Sequence, residues 1–160
     1  MSACSRCGGV HFIMNCLGTA PKRMRSVRPH LARESGVYAL MDGAGRVYVG
    51  KSANIAHRIE EHRQGNGFLD RATLRRIPTL TNGPKGDLEA WERGETLAQM
   101  RRRGLGKVRG WRFTGEGGRE EAFREVCERF DLCRRCGRAG HFAGGCPGRG
   151  RAKWAVIVSV

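Results

Sequence analysis

The spacing of four metal-seeking side chains constrains this chain more than any other feature. Cys133, Cys136, His141 and Cys146 read C-x2-C-x4-H-x4-C. A two-residue gap between cysteines lets one tight turn aim both sulfurs at a single ion, and four such donors suit tetrahedral zinc. Gly137 and Gly140 fall where the loop must fold sharply, and the small Gly144-Gly145 pair lets the chain return toward the metal. The seven cysteines of the chain are an odd number, which argues against a disulfide framework and for thiols kept reduced for metal. A closed four-ligand site of this kind is structural, not catalytic.

The pattern resembles a CCHC zinc knuckle, over residues 133–147. Near the other end Cys4, Cys7, His11 and Cys16 read C-x2-C-x3-H-x4-C, one residue shorter before the histidine. Phe12 and Phe142 each follow their histidine directly. Residues 1–18 are therefore expected to form a variant knuckle, giving one or two structural zinc ions in all; the alternative is an N-terminal stretch with incidental thiols. Cys127 belongs to neither group. It sits in a helix-prone stretch with no base pattern around it and reads as a packed residue.

The rest of the chain says what such modules would serve. Thirty Lys and Arg against fifteen Asp and Glu leave a formal charge of +15, a bias toward a polyanion such as DNA or RNA. An anionic membrane surface is the weaker partner, since no apolar run approaches the roughly 20 residues that span a bilayer. Residues 1–18 lack a basic start followed by an apolar core, so secretion is not expected and an intracellular setting, nuclear or cytoplasmic, is. A length of 160 residues suits one compact domain with appendages. Residues 19–34, with Pro21, Pro29 and many Lys and Arg, read as a basic linker.

From Gly36 the pattern changes. Val37-Tyr38-Ala39-Leu40-Met41 is apolar and β-prone, Asp42-Gly43-Ala44-Gly45 is turn material, and Val47-Tyr48-Val49 is apolar again, which predicts a β-hairpin. Ser52 or Asn54 then caps a helix running to residue 63, with Ile55 and Ile59 one turn apart on its buried side. Arg58 and His62 are also one turn apart and share a stripe, above the edge where the hairpin delivers Tyr48 and Lys51. A second helix is predicted over 87–103 and a third over 120–131, the latter amphipathic through Phe123, Val126, Cys127 and Phe130. Pro78 limits residues 75–80 to an edge strand at best.

Gly36-Val37-Tyr38, then Tyr48-Val49-Gly50-Lys51-Ser52, then Asn54, Arg58 and His62 resemble the signature of the GIY-YIG endonucleases, with Val in place of Ile in both tripeptides. The resemblance spans residues 35–115. It implies an α+β fold in which a small three-stranded antiparallel sheet is flanked by helices. It also implies one catalytic Mg2+ or Mn2+ held by a Glu of the second helix, for which Glu92 is the candidate and Glu95 the alternative. Lys107-Val108-Arg109-Gly110 resembles the family's late Asn-Val-Arg-Gly segment, with Lys107 where an Asn is often found.

The activity implied is hydrolysis of phosphodiester bonds. Such a reaction needs an activated water, neutralisation of charge on the phosphate, and help for the leaving oxygen. By resemblance Tyr38 or Tyr48 positions or deprotonates the water, Lys51 and Arg58 supply cations, and His62 shuttles a proton. A guanidinium can also grip the scissile phosphate with paired donors. The knuckles contribute binding: Phe12 and Phe142 offer stacking surfaces for unpaired bases, and Arg134, Arg135 and Arg138 offer phosphate contacts. The second reading is an inactive scaffold whose knuckles bind single-stranded nucleic acid. Residues 116–132 connect the central domain to the second knuckle. Residues 148–160 form a tail with a basic spacer and a short apolar end. Oligomeric state is left open.

Overall fold

A computed structural model describes residues 34–65, 67–83 and 86–148. The first expected knuckle (1–18), all but the last residue of the basic linker (19–34) and the tail beyond residue 148 lie outside the described residues. In chain order the main elements are β1 (Gly36–Met41), β2 (Val47–Ser52), α1 (Ile55–Gln64), β3 (Arg75–Ile77), α2 (Leu88–Arg103), β4 (Val108–Gly110) and α3 (Arg119–Arg129).

The β1–β2 hairpin forms as its apolar alternation predicts, with Tyr38 opposite Gly50 and Leu40 opposite Tyr48. Its turn is fastened by Asp42. One carboxylate oxygen accepts from the Arg46 N–H (2.9 Å), the other from Arg46 Nε (2.7 Å) and the Asp70 N–H (3.1 Å). Burial works to raise the Asp42 pKa, but these donors and the Arg46 charge hold it below the usual carboxylate value. The anchor thus ties the loop after α1 to the hairpin turn.

The fold is α+β, but the expected three-stranded antiparallel sheet is corrected to a four-stranded mixed one, in the order β3-β1-β2-β4. β3 lies antiparallel to β1, and β4 lies parallel to β2. The fourth strand spans only three residues, too few for a period-two pattern to register. It forms because α2 crosses one face of the sheet and returns the chain beside β2, as a parallel pairing requires. Its closeness depends on Gly110, where a Cβ would lie 2.7 Å from both Thr96 Oγ1 and the Val49 carbonyl oxygen. The edge strand β3 stops before Pro78.

Alternation along β1 and β2 divides two cores. Val37, Ala39, Val47 and Val49 face α2 and α3 and pack with Leu97, Met100, Val108, Phe123 and Val126. Tyr38 and Leu40 face α1 and pack with Ile55, Ile59 and Leu69. Truncating a fully buried leucine such as Leu97 to Ala would cost about 2–5 kcal/mol. Asn54 caps α1, its side chain accepting from the His57 N–H, and Asp87 caps α2 in the same way through Ala90. Helix α3 buries Ala122, Phe123, Val126 and Cys127 and therefore belongs to the main core.

Candidate active site and metal centre

Tyr38, Tyr48 and His62 meet on the α1 side of the sheet. The Tyr38 hydroxyl lies 2.9 Å from His62 Nε2, and the rings of Tyr48 and His62 are 4.7 Å apart between centroids. The two tyrosines come from antiparallel neighbours, and His62 from the last turn of α1. Room for this contact is made at Gly50, opposite Tyr38: a Cβ there would lie 2.5 Å from the Tyr38 hydroxyl oxygen and 3.0 Å from Tyr48 Cε1. The glycine of Tyr48-Val49-Gly50 is thus required by the tyrosine of the other strand.

Burial sets the protonation of this group. The Tyr38 phenol is pushed up to about 12 by desolvation, against the Arg58 guanidinium beside it, with the charge of Glu92 also contributing upward. His62 is lowered from its ordinary value of 6.5, first by burial and then by Arg58, while Glu61 opposes. At neutral pH the tyrosine is protonated and the imidazole neutral. With the imidazole proton on Nδ1, Nε2 accepts from the Tyr38 O–H. Arg58 Nη1 holds Glu61 at 2.7 Å on the exposed side of α1. Exposed pairs of this sort are screened by water and salt, so Glu61 is a weak competitor for the guanidinium.

The two candidate glutamates of α2 have different surroundings. Glu95 is fully buried. One of its oxygens accepts from the Leu80 N–H (2.7 Å), the Thr81 N–H (2.8 Å) and the Thr81 hydroxyl (3.0 Å), and the other from Gln99 Nε2 (2.8 Å). Its acceptors are used to fix the loop before α2. Glu92 is held mainly by Lys51, whose Nζ is 3.3 Å from Oε2, with the exposed Glu89 at 3.8 Å from the same ammonium. Mg2+ commonly takes one or two carboxylates and keeps several waters, a donor set that Glu92, with Glu89 near it, fits and Glu95 does not. Lys107 is exposed, in the single turn before β4.

Two residues of this region, Phe68 and Arg46, are singled out by no sequence pattern, and a third, Arg109, only as part of Lys107-Val108-Arg109-Gly110. Phe68, in the loop after α1, lies under two guanidiniums, those of Arg109 (4.2 Å from Cζ to the ring centroid) and Arg46 (5.5 Å). Arginine on an aromatic face is a tertiary contact between residues far apart in sequence, and the only local hint is the Arg of Val108-Arg109-Gly110.

At the other end of the described chain Cys133, Cys136, His141 and Cys146 place their ligand atoms within 4.8 Å of one another and could hold a metal ion. Leu132 and Cys133 are buried against α3, so the cluster is rooted in the main core. The Cys133 N–H donates to the Arg138 carbonyl (2.8 Å) and the Gly137 N–H to the Cys133 carbonyl (2.7 Å). Gly137 and Gly140 take φ of +73° and +87°, which favour glycine. Burial works to raise the Cys133 thiol, yet N–H donors from Arg135 and Cys136 hold it below its ordinary value. This favours the thiolate that a metal takes. Cys127 is pushed up to about 11 by burial, an inert packed thiol. Phe142 is 80% exposed, and Arg134, Arg135 and Arg138 are exposed as well. Cys4, Cys7, His11, Phe12 and Cys16 lie outside the described residues.

Among the described residues no helix is long and apolar enough to cross a membrane. No family model, curated protein or solved structure matches the chain.

Proposed function

We propose that the chain is a metal-dependent endonuclease of GIY-YIG type. The observation that carries this reading is the hydrogen bond between Tyr38 and His62, formed beside Tyr48 and Arg58 with the Lys51–Glu92 pair nearby. Taken singly, each residue is an ordinary strand aromatic, surface cation or helical carboxylate. Together they would supply an acid–base pair, cations and a metal-binding carboxylate around the two central strands of the sheet.

The protonation states suggest the division of work. A phenol pushed up to about 12 is not ionised beforehand, so Tyr38 passes its proton to His62 Nε2 as its oxygen takes one from the attacking water. Tyr48 packs on the imidazole and fixes its orientation. Arg58 releases Glu61 and turns its paired donors to the scissile phosphate, while Lys51 adds charge on the same side. Glu92 would hold the catalytic Mg2+ or Mn2+, which when bound offsets charge on the phosphate and leaving oxygen.

The Cys3His cluster reads as a zinc knuckle. It would hold one structural Zn2+ and grip unpaired bases of DNA or RNA through Phe142, with Arg134, Arg135 and Arg138 on phosphates. Its attachment to α3 gives the nuclease domain a fixed point of contact with its substrate.

The test is cleavage of single-stranded, duplex and branched DNA and RNA by the zinc-loaded protein in Mg2+ or Mn2+, beside Tyr38→Phe and Arg58→Ala. Cleavage by the parent that falls at least about 10²-fold in both variants, with binding kept within a few-fold, supports the nuclease. Salt-sensitive binding with no cleavage of any substrate would overturn it in favour of a binding scaffold.

A further inference from the structure

The parallel register of β2 and β4 sets Arg109 beside Tyr48. Val108 and Gly110 on either side of it are buried, Val108 in the α2-side core. By the alternation of a strand Arg109 shares the face of Tyr48, and its guanidinium rests on Phe68, 4.2 Å from the ring centroid. Leu69, next to Phe68, packs with Tyr38, Leu40 and Ile55, so the segment that carries the ring is anchored to the core that holds Tyr38. Arg46, two residues before Tyr48, stacks over the same ring at 5.5 Å.

The two guanidiniums have different freedom. Arg46 is committed to the buried Asp42 carboxylate at 2.7 Å. Among the described residues Arg109 has one carboxylate in ion-pair range, that of Glu116 at 3.7 Å, and that side chain is 91% exposed, a pair that water and salt weaken readily. A guanidinium laid flat on a ring keeps its N–H edge directed outward for hydrogen bonds, and stacking reduces the conformational freedom lost on binding.

We infer that Arg109, stacked on Phe68, binds a backbone phosphate flanking the scissile one. The word scissile rests on the nuclease reading above, whereas the phosphate contact requires only nucleic-acid binding. Phe68 is a positioning residue in this arrangement, and Arg46, held by Asp42, is a second guanidinium against the same ring.

The experiment measures binding of fluorescein-labelled oligonucleotides, single-stranded and duplex, by the full chain in Ca2+ across a salt series, with cleavage in Mg2+ alongside. Each phosphate contact contributes about 0.7–0.9 to the slope of log K against log salt. Arg109→Ala should lower that slope by about this amount and weaken binding about tenfold, raising KM for cleavage with kcat within a few-fold. Arg109→Lys should keep the slope yet bind more weakly than the parent, because the ammonium does not stack as a guanidinium does. Phe68→Ala should weaken binding without removing a charge. Arg124→Ala, an exposed arginine on α3, is the control for loss of one positive charge. An Arg109→Ala slope equal to that of Arg124→Ala overturns the inference, as does absence of binding by the parent. A parent that binds without cleaving, with the slope still lowered in Arg109→Ala, refutes the nuclease but keeps the phosphate contact.

Discussion

The hydroxyl of Tyr38 lies 2.9 Å from Nε2 of His62, joining the first strand to the last turn of the first helix across 24 residues of sequence. Neither group is ionised at neutral pH, since burial raises one and lowers the other. In the proposed nuclease this pair would work as a relay, and a relay is lost when either member is removed. Tyr38→Phe and His62→Gln should each reduce cleavage by about 10²–10⁴-fold. The double variant should be little worse than either single one, because groups acting as a unit are non-additive. Additive losses in a double-mutant cycle would show that the two residues act separately.

The same pair sets a pH dependence. His62 accepts a proton only while neutral, and its pKa is lowered from 6.5. The cleavage rate should therefore be level above pH 6.5 and fall on acidification below it, and His62→Gln should lack that acidic fall. Stability shares the sign. The unfolded chain takes up this proton first, so the contribution of a neutral His62 is complete above 6.5 and is lost as pH falls through the lower folded value. A rate that rises with acid over this range would exclude His62 as the acceptor.

Glu92 and Glu95, three positions apart on α2, should fail in different ways. Glu95→Gln sets an amide N–H against donors from the Leu80–Thr81 backbone or from Gln99, leaving a buried donor unpaired at about 1–3 kcal/mol. Its melting temperature should fall. Glu92→Gln removes the charge of a largely buried carboxylate that pairs with the half-exposed Lys51 and should lower melting less than Glu95→Gln does while abolishing the response of cleavage to Mg2+. Melting curves and Mg2+ titrations of the two variants together decide the assignment.

Gly50→Ala tests why the second tripeptide ends in glycine. The added Cβ would fall 2.5 Å from the Tyr38 hydroxyl, so the ring must swing away from His62. Cleavage should drop about as far as in Tyr38→Phe while far-UV circular dichroism stays that of the parent. An active Gly50→Ala would mean that the Tyr38–His62 contact is dispensable.

Metal removal should loosen one region only. In a chain with Cys4, Cys7 and Cys16 replaced by serine, a chelator should expose Cys133, Cys136 and Cys146 to a thiol reagent and release one zinc per chain. Cys127, buried and pushed up to about 11, should react only on global unfolding. Equal reactivity of all four thiols before chelation would show that the cluster holds no metal.

Local order was legible in the sequence. Alternation gave away the hairpin, Asn54 and the Ile55/Ile59 spacing marked the first helix, and the C-x2-C-x4-H-x4-C spacing brought four ligand atoms to one point. These depend on neighbours a few residues apart, where strand and helix periods or a turn decide the outcome. The α+β class was implied by the resemblance of Gly36-Val37-Tyr38 and Tyr48-Val49-Gly50 to a known signature, which also implied a sheet of three antiparallel strands. The fourth strand escaped because three residues carry no period, and its pairing exists only after α2 has crossed the sheet.

The finer assignments belonged to the tertiary structure. The family resemblance offered Glu92 as the candidate and Glu95 as the alternative on one helix; the loop bearing Leu80 and Thr81 closes on Glu95, while Glu92 pairs with Lys51. Asp42 read as a turn residue and became a buried anchor, and Phe68 read as nothing until two arginines from distant segments lay over its ring. The chain by itself determined which residues could take part and which local elements carry them. Burial and the donors that reach each group from other elements determined which carboxylate is sealed, which imidazole meets the Tyr38 hydroxyl and which arginine is left with donors to offer, because these depend on distances that no local period encodes.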